Sequence, residues 1–167
     1  MTSQTNKMQS IDVFAATNPA FGALVLHAFC SAFTSDGGQS KPSYPILFLV
    51  LPILFSRKGI ATFAGTNVTT GFFEWLERHP ELKLGLAENI RSGIPYTKAA
   101  LRFAVRHHLL RTDGYEYSPA PNAPWKQYKW SASDERGHFL NCAKRLGSWV
   151  AKVPNETTVF HALGVHP

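Results

Sequence analysis

The stretch that decides the fold runs from residue 95 to residue 117 and reads PYTKAALRFAVRHHLLRTDGYEY. Its first half carries apolar residues at three- and four-residue spacing, at Ala100, Leu101, Ala104 and Val105. This spacing predicts a helix over residues 95–108 that opens on a proline, which suits a first helical turn. These four apolar residues are expected to form the face of the helix that is buried against the core.

After this helix the pattern changes to that of a hairpin. The pair Asp113-Gly114 separates two short runs of β-type residues. Asp-Gly favours a tight turn because glycine accepts the positive φ that such turns need. We therefore predict strands over residues 109–111 and 115–117, joined by a turn at residues 112–114.

The chain before this stretch is predicted to be helical. Apolar periodicity and turn residues indicate further helices over residues 19–33, 43–55, 71–79 and 82–92, with a weaker signal at 60–64. Asn18 and Pro19 form a strong start for the helix 19–33. Gly93 is expected to end the helix 82–92. We expect the run 57–59 to end the second helix and Pro52 to kink it.

The apolar run 44–55 resembles a membrane segment in composition. It is too short for the roughly 20 residues that span a bilayer, and it contains Pro45 and Pro52. We expect a buried core helix. Residues 1–16 look like a flexible N-terminal arm, with a small apolar patch at 11–16, and they lack the apolar core of a signal peptide. A cytoplasmic location is therefore expected.

The chain after the hairpin is expected to be mainly helical. Residues 125–130 favour a strand, residues 131–153 a long helix capped by Ser131 or Ser133, and residues 156–163 a last helix that ends at Gly164. The predicted fold class is mainly α with a small β-hairpin (α+β). Because the order helix, helix, hairpin is typical of a winged helix-turn-helix, we place such a core at about 69–117, within a single domain 17–167 that has a C-terminal helical extension at 125–164.

Composition excludes several classes of protein. The chain is 44% hydrophobic and 17% charged, so it has enough apolar surface to fold. Its two cysteines are too few for a disulfide framework or a cysteine-based metal site. Aromatic residues make up 13%, and a surplus of this kind often lies in partner interfaces. The formal net charge of +6 favours nucleic acid or an acidic protein surface as partner.

No pattern in the sequence builds an active site. A phosphate-binding loop, a His-Glu-x-x-His pair and a Cys-x-x-Cys pair are all missing. The adjacent histidines His107 and His108 point about 100° apart on a helix, so they are poorly placed to share a metal. We expect a protein that is not an enzyme, that holds no metal or cofactor, and that has no small-molecule substrate and no membrane contact.

The best candidate for a binding surface is a basic stripe made by Lys98, Arg102 and Arg106. These cations are spaced by four and therefore share one helix face. The surrounding stretch 89–112 also contains Arg111 and has no acidic residue. The stripe either faces DNA, RNA or an acidic protein groove, or it is a solvated face whose stems cover apolar surface.

A second basic cluster alternates with aromatic residues at 125–130, where Lys126 and Lys129 stand among two tryptophans and a tyrosine. Such a run stacks on nucleic-acid bases in some proteins. A strand whose aromatic side chains enter the core or a partner interface is the favoured interpretation.

Four short segments resemble one protein family. They are NPAFGAL at 18–24, PILFLVLPIL at 45–54, IPYT at 94–97 leading to Arg102-Phe103, and FHALGV at 160–165. They resemble the middle component of the three-component ABC ATPase systems, a group of bacterial conflict and anti-phage operons. The resemblance covers about residues 18–165, and the extension 125–153 follows it least.

The resemblance implies a small winged helix protein encoded between an SMC-like or Rad50-like ABC ATPase and an effector-associated component. It implies a role in connecting the two, and it brings no catalytic residues with it. One expected function is therefore a non-enzymatic adaptor in an anti-phage defence system, with DNA contacted through the complex. The alternative is a DNA-binding winged helix transcriptional regulator, which should bind DNA as a dimer with steep salt dependence.

Overall fold

The computed structural model describes residues 18–123 and 134–166. The helices are α1 (Pro19–Asp36), α2 (Tyr44–Leu54), α3 (Arg57–Ala61), α4 (Phe72–Arg78), α5 (Leu86–Arg106), α6 (Glu135–Ala151) and α7 (Glu156–Leu163). A 3-10 turn at Pro80–Lys83 precedes α5, and strands β1 (Leu110–Thr112) and β2 (Tyr117–Pro119) form one antiparallel pair. The predicted α+β class, mostly helical with a small hairpin, is confirmed. The predicted arm 1–16 and strand 125–130 lie outside the described residues.

Helix α1 lies at the centre of the packing, against α6 and α5. It begins as predicted, because the side chain of Asn18 accepts hydrogen bonds from the backbone N–H groups of Ala20 and Phe21. Its approach to α6 is close: a Cβ on Gly147 would stand 2.3 Å from the carbonyl oxygen of Phe29. Because Gly147 has no side chain, the backbones of α1 and α6 can approach this closely.

Helix α2 confirms the prediction of a buried helix at the apolar run. Leu47, Val50 and Leu54 are fully buried, and Pro45 lies in the first turn, where its missing N–H costs nothing. Pro52 lies inside the helix. In the part of the chain that the structure describes, no helix combines the length and the apolar character needed to cross a membrane.

Two predicted helices proved to be one. The predicted break at Gly93, between helices at 82–92 and 95–108, is wrong, because α5 runs unbroken from Leu86 to Arg106 with Pro95 inside it. Gly93 serves packing: a Cβ there would lie 3.2 Å from Cγ of Pro52. The free energy gained by burying one face of α5 exceeds the cost of the backbone hydrogen bond that Pro95 cannot donate. Leu82 belongs to the 3-10 turn instead.

Two helix boundaries also differ from the prediction. Residues 57–59 start α3 rather than only ending α2, because the hydroxyl of Ser56 accepts a 2.9 Å hydrogen bond from the N–H of Gly59. Helix α6 is capped by Asp134, whose side chain accepts from the N–H of Arg136 at 3.1 Å. The predicted caps Ser131 and Ser133 lie outside the described residues, and the observed start at Glu135 makes the cap assignment to them wrong.

The hairpin is present, but its strands are shifted by one or two residues. Leu109 is not part of β1: it lies in the turn after α5, where its N–H donates to the carbonyl of Ala104 at 2.8 Å. The connecting loop covers residues 113–116 because the side chain of Asp113 accepts from the N–H groups of Tyr115 and Glu116, both at 2.9 Å. These bonds hold the pKa of Asp113 below its usual value. Gly114 has the expected positive φ, at 108°.

Much of the aromatic content lies in the core. Phe63, Trp75 and Trp149 are buried and pack with ring centroids 5.2 to 5.7 Å apart. Both indole N–H groups are satisfied: Trp75 donates to the hydroxyl of Thr62, and Trp149 donates to backbone carbonyls at 67 and 68. The aromatic surplus is therefore weaker support for partner interfaces than the composition indicated.

The order helix, helix, hairpin exists as α4, α5 and the β1–β2 pair. Strand pairing aligns Arg111 with Ser118, and an isolated bridge joins Ser43 to Glu116. The winged-helix assignment of residues 69–117 and the limits of a single domain at 17–167 stay predictions.

Candidate partner-binding surface

The basic stripe lies on the outer face of α5, as the spacing of four predicted. Lys98, Arg102 and Arg106 are all exposed. Among residues 18–123 and 134–166, none of the three forms an ion pair. Two exposed arginines elsewhere are paired: Arg78 contacts the carboxylate of Glu74, and Arg91 contacts that of Glu88 at 2.6 Å. The stripe therefore presents positive charge that no described carboxylate neutralises.

These cations line one side of an open cleft of about 660 Å³, which we call the basic cleft. The other lining residues come from α5, from the start of α2 and from the hairpin: Leu101, Val105, Tyr44, Thr112 and Tyr117. The cleft thus combines cationic side chains with aromatic and aliphatic surface. Val105 is 36% exposed on the same helix face as the cations, so it contributes aliphatic surface to the cleft.

The far wall of the basic cleft is fixed by hydrogen bonds between the hairpin and the start of α2. The N–H of Tyr44 donates to the carbonyl of Tyr115 at 2.7 Å, and the N–H of Tyr117 donates to the carbonyl of Pro42 at 3.0 Å. The rings of Tyr44 and Tyr117 stack with centroids 6.1 Å apart. Burial raises the pKa of Tyr117, so its phenol is neutral near pH 7.

A second depression of about 450 Å³ adjoins the basic cleft, and we call it the apolar groove. Tyr44 and Lys98 line both, so the two form one continuous surface. Its other walls come from α2, α5 and the C-terminal residues: Pro45, Phe48, Leu49, Ala87, Ile90, Arg91, Ile94, Phe160, Val165 and His166. Apart from Arg91, Lys98 and His166, this lining is aliphatic or aromatic.

The remaining candidate residues are not brought to this surface by any described contact. Arg111 is exposed on β1, does not line the basic cleft, and donates from Nε to the hydroxyl of Ser118 at 3.0 Å. Lys126 and Lys129 lie outside the described residues. His107 stacks on the ring of Phe103 with centroids 4.1 Å apart.

Sequence reasoning missed the aromatic wall and the apolar groove. Tyr44 was predicted only as the start of a buried helix, and Val165 only as the residue after a helix end. Both are placed beside α5 by tertiary packing, for which a local sequence pattern gives no signal. The exposure of Val105, at a position that the periodicity assigned to the core face, was also missed.

The described residues offer little for covalent or metal chemistry. No group of three or more His, Cys, Asp or Glu side chains within 18–123 and 134–166 is placed to hold a metal ion. Cys30 and Cys142 are free and buried, and burial raises the pKa of the Cys142 thiol to about 11. The surface can instead bind a ligand that has both anionic and apolar groups.

Comparison with known families agrees with the resemblance seen in the sequence. The family model for the ABC-three component (ABC-3C) system Middle Component 3 matches residues 10–167. Searches of curated proteins and of solved structures gave no significant match. The family match includes α1 to α7, the hairpin and therefore both parts of the candidate surface. The chain belongs to the Middle Component 3 family of the ABC-three component systems.

Proposed function

We propose that this chain is a non-enzymatic adaptor that links an SMC-like or Rad50-like ABC ATPase to the effector component of a bacterial anti-phage defence system. Family membership makes it one component of a multi-subunit system. The observation that carries the adaptor role is the exposed basic stripe, unpaired within the described residues, at the edge of an apolar groove. Surfaces that combine charge with exposed apolar side chains are typical of protein interfaces.

The shape of the candidate surface supports a protein partner. The basic cleft and the apolar groove share Tyr44 and Lys98 and form one concave surface along α5. A concave surface with fixed walls also lowers the ordering cost of binding, because the hairpin and α2 are already joined by hydrogen bonds.

The proposal is tested by co-expressing the chain with the ABC ATPase component of its own system and measuring the complex by size-exclusion chromatography with light scattering. An adaptor should elute with the ATPase at a fixed stoichiometry and should have no ATPase, nuclease or protease activity of its own. Separate elution at micromolar concentrations, or a metal-dependent nuclease activity that survives extensive purification, would contradict the proposal.

The exposed basic stripe also supports the alternative of a DNA-binding regulator, so the same preparation should be titrated with duplex DNA. A regulator should bind duplex DNA as a dimer, with affinity that falls steeply as salt rises. An adaptor should keep its protein partner at salt concentrations that abolish any DNA binding. Dimeric, sequence-specific DNA binding without ATPase binding would favour the regulator.

A further inference from the structure

We propose that the basic cleft and the apolar groove together bind one acidic, amphipathic segment of a partner protein. This inference rests on the proposed adaptor function and adds the chemistry of the partner. The segment carries carboxylates that face Lys98, Arg102 and Arg106, and apolar side chains that enter the groove beside Phe48 and Ile94. The shared residues Tyr44 and Lys98 make the two binding regions continuous.

Charge complementarity identifies the acidic part of the segment. The basic stripe lies in the stretch 89–112, which contains no acidic residue. Its three cations point from one helix face, and none is paired with a described carboxylate. Lys98 and Arg106 are eight residues apart on α5, or about 12 Å at 1.5 Å per residue. A ligand that satisfies the stripe therefore needs several carboxylates spread over about 12 Å.

The apolar groove supplies the second requirement. Ile90 and Ile94 precede Lys98 in α5, so the groove lies on the N-terminal side of the stripe. Ile90 and Arg106 are sixteen residues apart, or about 24 Å along the helix. An extended segment of about seven residues, or a helix of about sixteen, covers this length. The apolar end of the segment lies in the groove and its acidic end on the stripe.

The groove favours a protein segment over nucleic acid. A phosphodiester backbone offers no aliphatic surface to Ile90, Ile94 and Val165. An acidic peptide with apolar side chains matches both regions, whereas DNA matches only the stripe.

The segment can be identified by site-specific photo-crosslinking in the assembled complex. A benzoylphenylalanine is introduced at Val105 in the basic cleft and, in a second variant, at Ile94 in the groove. The same residue at Lys144, which is exposed on α6 and lines neither region, is the control. We expect the Val105 and Ile94 variants to crosslink to one segment of a partner component that is rich in Asp, Glu and apolar residues, and the control not to crosslink to it.

A charge swap provides a test that needs no crosslinker. Lys98→Glu with Arg102→Glu and Arg106→Glu should weaken partner binding at least about tenfold, and replacing the segment's acids by lysine should restore it to within about threefold. Crosslinks to DNA, to a neutral or basic segment, or to residues 1–17 of this chain would overturn the inference, as would a charge swap without rescue. If no complex forms with the parent chain, the proposed function itself fails.

Discussion

Neutralising the basic stripe should weaken partner binding while leaving the stability of the fold nearly unchanged. The change is Lys98→Gln, Arg102→Gln and Arg106→Gln in one variant, which lowers the formal net charge of +6 by three. Glutamine has nearly the helix propensity of lysine and arginine, so the backbone of α5 is little affected. The substituted side chains are exposed and make no ion pair with a described residue.

The expected change in the free energy of unfolding is small because two terms offset. The stripe contains two like-charge pairs at i,i+4, and removing them stabilises the helix by about 0.4–1 kcal/mol. Arg106 lies in the last turn of α5, where a cation favours the helix dipole by about 0.3–1 kcal/mol, and that contribution is lost. Urea denaturation followed by tryptophan fluorescence should therefore show a change of no more than about 0.5 kcal/mol.

Binding should respond strongly. Three exposed ion pairs to a partner contribute about 0.6–3 kcal/mol together, which corresponds to a roughly 3-fold to 150-fold increase in Kd. If the ligand were duplex DNA, losing three phosphate contacts would reduce the log-log salt slope by about 2.7. The control variant replaces Lys58, Lys83 and Lys144 by Gln, because these exposed lysines lie outside the cleft and the groove. It makes the same change in net charge and should bind like the parent.

The measurement is isothermal titration calorimetry of each variant against the ABC ATPase component, repeated at several salt concentrations. Unchanged affinity for every partner would reduce the stripe to a solvated face. A loss of stability above about 2 kcal/mol would instead make the stripe part of the fold, because exposed charges do not contribute that much.

Three further predictions concern the fold and its thiols. Leu49→Asp should lower the free energy of unfolding by roughly several kcal/mol, because it buries an unpaired carboxylate. Leu84→Asp, at a 69% exposed site, should leave it nearly unchanged in the same urea titration. Gly147→Ala should cost about 1–3 kcal/mol or more, since its Cβ would stand 2.3 Å from a backbone oxygen of α1; an unchanged denaturation midpoint would refute this contact. Cys30 and Cys142 should resist a thiol reagent at pH 8 and react on unfolding, because a pKa of about 11 leaves roughly one Cys142 in a thousand as thiolate; fast labelling of the native protein would contradict the burial.

The local features of the fold could be predicted because local chemistry determines them. Asn18 caps α1 with its own side chain, and the stripe on α5 follows from the geometry of 3.6 residues per turn. The apolar run of α2 was recognisable as core because too few residues were present to span a bilayer. In each case the decisive residues are neighbours in sequence.

The features that sequence reasoning missed depend on distant contacts. Helix α5 continues through Pro95 because its buried face packs against other elements, and this tertiary contribution overrides the local preference of proline. Gly93 was interpreted as a helix end, but its missing side chain makes room for Pro52. Of the candidate surface, only the basic stripe was predicted. Tyr44, Tyr117 and Val165 join α5 through packing between segments far apart in sequence, which local patterns do not show.

The most direct test of the linking role is native mass spectrometry of the co-expressed components, with and without this chain. If the chain links them, the ABC ATPase and the effector component should appear in one assembly when the chain is present, and as separate species when it is omitted. The stripe variant should form less of this assembly than the parent chain does, while the control variant should form as much as the parent. An ATPase–effector assembly of the same mass and abundance, formed without this chain, would contradict the adaptor function.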